Sequence, residues 1–82
     1  MPSASPQQQL DTTGLRCPLP VLKARKALSG LAPGSLLEVL ASDPAAPEDF
    51  KALCLVSGHR LLAHRQDGEV HRFLIEAAER RD

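Results

Sequence analysis

Cys17 is the residue of this chain best placed to do chemistry. It stands between Arg16 and Pro18 in the stretch GLRCPLPVLKARKAL, residues 14 to 28, with a second proline at Pro20 and a helical pattern directly after it. A thiol acts as a nucleophile through its thiolate, so its surroundings decide its use. A residue before proline is pushed out of helical geometry into an extended conformation, which is the backbone an N-cap requires. The spacing therefore predicts Cys17 as the N-cap and Pro18 as the first helical residue, with Pro20 stiffening the first turn. The two prolines remove two of the first-turn donors and leave the amides of Leu19 and Val21, the first expected to point at the sulfur. Helix terminus and Arg16 together are expected to bring the thiol pKa modestly below that of free cysteine. An exposed helix end contributes only about 0.3–1 kcal/mol, which suits a competent nucleophile and not a permanent thiolate.

The alternative for any cytosolic cysteine is core filler, since free cysteine is among the most buried residue types. A position at a helix entrance, on the rim of the fold, argues for function at Cys17. Cys54 reads the other way: it shares one helical face with Phe50, Leu53 and Ser57 and is expected in the core. The two cysteines with His59, His64 and His71 supply metal-ligand types, but no CxxC or HxxxH spacing occurs, and neither a metal nor a cofactor is expected. An independent redox enzyme is disfavoured because Cys17 has no nearby resolving partner. A structural disulfide between Cys17 and Cys54 is disfavoured too, without secretory context.

The elements that must position Cys17 follow from the rest of the chain. At 82 residues and 8.8 kDa this is one small domain, so its chemistry belongs on the surface. Hydrophobic residues make up 43% but aromatics only 2%, which leaves the core to Leu, Val, Ala and Ile around Phe50 and Phe73, and little to stack on bases. The net charge is zero, which argues against direct nucleic-acid binding and against a membrane-surface role. That zero hides a segregation. Arg16, Lys23, Arg25 and Lys26 face only Asp11 in the first 34 residues, while Glu38, Asp43, Glu48 and Asp49 follow with Lys51 as the one cation among them. No apolar run reaches transmembrane length, and MPSASPQQQ lacks the features of a secretory signal, so a cytoplasmic location is expected.

Residues 1–8 read as a flexible tail, 9–79 as a single domain and 80–82 as a C-terminal tail. QLDTT is a short strand ended by a turn at Gly14. Val21, Ala24, Leu28 and Leu31 form the stripe of an amphipathic helix with Lys23 and Lys26 on its other face, stopped by APG at 32–34. SLLEVLAS, apolar on both faces apart from Glu38, suits an interior strand. Pro47 opens a second helix with Glu48 and Asp49 in its first turn, and Gly58 ends it. The remainder is a hairpin around Asp67-Gly68, which would set His64 opposite His71 and Leu62 opposite Phe73. The βαβαββ order and right-handed crossovers predict an α/β two-layer sandwich: a four-stranded mixed sheet with two helices on one face and the other face open, polar or covered by a partner.

LDTTGLRCPLP, the later DPAAPEDF, Gly58-His59 and the DGEVHRFLI hairpin resemble the TusA-like sulfur carriers, over a span from about Leu10 to the last strand. The resemblance implies a sulfurtransferase-type carrier, not a turnover enzyme, in which Cys17 takes up sulfane sulfur as a persulfide. The donor would be a cysteine desulfurase or a rhodanese-like protein, and the acceptor a downstream thiol protein, toward ends such as 2-thiouridine in tRNA. Cys17 is then the catalytic residue, with Gly14, Arg16, Pro18 and Pro20 supporting it and Leu19, Lys23 and Lys26 available to partners. Many relatives carry an acidic residue between the two prolines, where this chain has Leu19. The rival from another class is a regulatory or docking module that binds through its open sheet face, with the cysteine incidental.

Overall fold

The computed structural model describes residues 8–79. Six elements occur in the predicted order: β1 Gln8–Thr12, α1 Leu19–Ser29, β2 Leu36–Ala41, α2 Ala46–Ser57, β3 Arg60–Asp67 and β4 Val70–Glu76. Gln8, expected in the tail, belongs to β1. The expectations for the two tails otherwise fall on residues 1–7 and 80–82, outside the described residues.

The sheet runs β1-β2-β4-β3, with β1 and β2 parallel and the other pairs antiparallel. The two-sided apolar strand β2 is interior, as expected. Its alternate residues Leu37, Val39 and Ala41 pair with Ile75, Phe73 and His71 of β4, and all six are buried on the helix side. From the other layer come Ala24 and Leu28 of α1 and Phe50, Leu53 and Cys54 of α2. Phe50 stacks on Phe73 with centroids 4.6 Å apart, joining α2 to the middle of the sheet. The opposite face carries Glu38, Arg72 and Glu76 beside half-buried Leu40 and Leu74, with the ion pairs Arg72–Glu38 and Arg60–Glu76 both at 3.6 Å. That is the open polar face the two-layer arrangement requires.

The helix ends follow their terminators. α2 closes on Gly58 at φ +85, whose amide donates to the Cys54 carbonyl. α1 stops at Gly30, earlier than the APG at 32–34, with its final turn tightened by Gly30 and Leu31 amides bonding three residues back.

The hairpin differs from expectation. The two turn residues are Gly68 and Glu69, with Gly68 at φ +64 and Asp67 paired to Val70. Glycine takes the first turn position because that position needs positive φ. The register therefore moves by two residues, and an even shift keeps every side chain on its face. His64 now lies opposite Phe73 and stacks on it at 4.7 Å, while its Nε2 still reaches His71 Nδ1 at 2.9 Å on the diagonal. Leu62 does not oppose Phe73: a bulge between Leu61 and Ala63 takes it out of the pairing and leaves it exposed.

Candidate functional site

Because β1 and β2 are parallel neighbours, their carboxyl ends lie together, and the loops that follow them run side by side into α1 and α2. Polar groups stitch this end together. Thr12, buried at the end of β1, donates its hydroxyl to the Leu40 carbonyl. Asp11 Oδ1 accepts the Thr13 amide at 2.9 Å and its hydroxyl at 2.7 Å, which holds that carboxyl below its ordinary pKa. Gly14, at φ +85, turns the chain and donates its amide to Ser42 Oγ at 2.8 Å. Asp43 then bridges the two loops: one carboxylate oxygen accepts the Cys17 amide and the other the Ala45 amide.

Cys17 rides on this frame as a free, exposed thiol. It sits one residue earlier than the sequence predicts. Pro18, at φ −98 and ψ 15, is the cap, Leu19 is the first helical residue and Pro20 the second. Arg16–Leu19 forms a turn across a cis Cys17–Pro18 peptide, and the Leu19 amide donates to the Arg16 carbonyl at 2.8 Å. The amide expected to face the sulfur is therefore already used. Pro20 is buried and anchors the first turn, while Pro18 and Leu19 stay exposed beside the thiol.

The electrostatics also run against expectation. The thiol pKa is raised, first by the Asp49 side chain, then by partial desolvation and the negative charges of Asp49 and Asp43. Arg16 acts on Asp43, whose carboxyl is pulled below its usual range by the Ala45 and Cys17 amides and, to a smaller degree, by that guanidinium. The thiol from the basic third of the sequence is thus set against carboxylates from the acidic stretch.

From Cys17 a groove runs between the helices. Pro18, Val21, Leu22, Arg25 and Ser29 form one wall, Asp49, Ala52, Leu55 and Val56 the other, and His59 and Ala78 lie at the far end. Leu55 and Val56 are each 86% exposed, far more than an apolar pair on a packed helix needs. Lys23 and Lys26 are exposed on α1 but do not line this groove; the cation that does is Arg25.

Sequence reasoning missed Asp43, Asp49, Leu22, Leu55 and Val56. The signal for the two acids was present, since parallel β1 and β2 bring DPAAPED beside RCPLP. Cys54 is buried as expected, with burial pushing its thiol pKa up. His59 is structural, its Nδ1 accepting the Ala78 amide at 2.8 Å. Among the described residues no group of three or more His, Cys, Asp or Glu gathers that could hold a metal ion. Among them, too, no helix is long and apolar enough to cross a membrane.

A two-layer domain with one exposed thiol on a braced corner, and an open groove leading from it, defines a carrier class in which the reactive sulfur is offered outward. The family described as Sulfurtransferase TusA matches residues 8–77, and the chain belongs to it. It is 41% identical over 69 residues to the sulfur carrier protein TusA of Allochromatium vinosum, covering 84% of this chain and 91% of that one. A Neisseria meningitidis serogroup A protein described as a candidate sulfur carrier is 55% identical over 62 residues, 74% of this chain and 84% of the relative. The crystal structure of a SirA-like protein from Desulfitobacterium hafniense superposes with a TM-score of 0.78 at 27% identity, covering 89% of this chain and all of that one. Carriers of this family pass sulfur between partner proteins.

Proposed function

We propose that this chain carries sulfane sulfur on Cys17 as a persulfide, accepting it from a cysteine desulfurase or rhodanese-like donor and handing it to an acceptor thiol in another protein. One observation carries the reading: the free thiol stands exposed at the head of the interhelical groove, on a loop held by Ser42 and Asp43. A sulfur so placed can enter two partner clefts in turn, which a recessed cysteine cannot.

The exchange conserves oxidation level. Cys17 attacks the outer sulfur of the donor persulfide, the new sulfur–sulfur bond forms as the old one breaks, and the donor leaves as its thiol. The chain supplies position and no cofactor to this step. Gly14 turns the loop, Pro18 and Pro20 set the helix start, and Arg16 balances Asp43. Leu22, Leu55 and Val56 offer apolar contact along the groove that leads from the sulfur, with Leu19 exposed near the thiol and Lys23 and Lys26 exposed on α1 to steer acidic surfaces. A cytoplasmic relay toward 2-thiouridine in tRNA is one end use this reading accommodates.

The test is mass spectrometry after incubation with a cysteine desulfurase and cysteine. The wild type gains the mass of one sulfur atom, removable by reductant, and Cys17→Ser gains none. Equal gain in both proteins would overturn the assignment and leave the docking-module reading.

A further inference from the structure

Asp49 stands in the first turn of α2, the helix whose start Asp43 ties to the Cys17 loop, and it lines the groove together with Cys17. Its neighbour Glu48 is exposed and does not line the groove, whereas Asp49 is half-buried and lines it, and its side chain is the first cause of the raised pKa of the Cys17 thiol. Asp43 adds a second negative charge, but both its oxygens are engaged by backbone amides, so Asp49 is the acid free to act on the sulfur. An exposed thiolate is open to every oxidant and electrophile in its compartment, and a carrier gains from reacting only where it docks.

We propose that Asp49 gates the sulfur: its negative charge, on the groove that Cys17 heads, disfavours the thiolate while the carrier is free, and a transfer partner opens the gate by bringing a cationic side chain against it. The inference rests on the carrier reading for its biological meaning, but the gate itself is a property of the free protein. A cation on Asp49 cancels the repulsion that disfavours the thiolate. In the exchange, the hydrogen of Cys17 leaves as the new sulfur–sulfur bond forms and ends on the departing donor thiolate, so protons and electrons balance without an external oxidant. The partner class selected is one with a lysine or arginine beside its own reactive sulfur. A partner whose transfer centre is acidic is rejected at the same point.

Asp49→Asn keeps the shape and removes the charge, and Glu48→Gln removes a charge from the same helix turn without touching the thiol. The first readout is the pH dependence of Cys17 alkylation by iodoacetamide in the full chain. Asp49→Asn should shift the midpoint to lower pH and raise the rate at neutral pH by about three- to tenfold, while Glu48→Gln follows the wild type. The second compares a trimethylammonium-ethyl with a sulfonatoethyl methanethiosulfonate, stand-ins for cationic and anionic partners. The wild type should favour the cationic reagent over the preference of free glutathione, and Asp49→Asn should lose most of that bias. A midpoint and a reagent bias unchanged in Asp49→Asn, or changed equally in Glu48→Gln, would overturn the gate. Neither readout involves persulfide, so failed sulfur loading would overturn the carrier reading and leave the gate standing.

Discussion

The backbone amide of Cys17 donates to the carboxylate of Asp43, 26 residues further along the chain, and the same carboxylate takes the amide of Ala45 ahead of α2. One side chain thus ties the sulfur loop to the start of the second helix. Asp43→Ala releases both amides, and is expected to lower the thermal midpoint by a few degrees and to slow sulfur loading. The carboxyl is depressed in the folded state, so its contribution is complete above the ordinary value of 3.8 and disappears as pH falls through the folded pKa. The gap between wild type and Asp43→Ala in urea melts should therefore close in acid; a gap independent of pH would show that the charge plays no part.

The fold was legible because its signals are periodic or punctuating. The stripe of Ala24 and Leu28, the two-sided apolar β2, Pro47 and Gly58 each settle a local choice without long-range information. The hairpin register was less so, because Asp67-Gly68 and Gly68-Glu69 compete for one turn, and the bulge at Leu62 depends on packing that no short window records. At the candidate site, the exposure of Cys17 near a helix entrance was readable from its prolines. The sign of its electrostatics was not, because Asp49 comes from 32 positions away while Arg16 next door acts on Asp43. Charges adjacent in sequence are poor guides to a field set by tertiary contact.

The two cysteines should separate cleanly by reagent. Cys54 is 7% exposed with a raised pKa, whereas Cys17 is free and outward. Excess iodoacetamide under native conditions is expected to add one adduct, on Cys17, and a second only in denaturant, as read by intact mass. Two adducts on the native protein would contradict the burial of α2 against the sheet.

Phe50 joins the two layers and is fully buried against Phe73. Phe50→Leu should cost about 1 kcal/mol and Phe50→Ala about 3–5 kcal/mol. In a domain this small the second loss is comparable to the whole stability. Urea denaturation followed by circular dichroism measures both. Equal midpoints for the two variants would show that the ring pair does not hold the layers together.

Histidines set the response to mild acid. His59 Nδ1 accepts the Ala78 amide and can do so only while that nitrogen is unprotonated, and burial lowers its pKa below 6.5. His64 is lowered as well, by desolvation first and then by His71 and Lys51. A group harder to protonate when folded contributes stability that is complete above the unfolded pKa and is lost as pH falls through the folded value. Stability should accordingly be flat above neutrality and decline below 6.5, before the carboxylates titrate. His59→Asn, whose amide oxygen can take the place of Nδ1 without titrating, is expected to flatten part of that decline in urea melts across the range. A variant that declines as steeply as the wild type would place the proton uptake on another group.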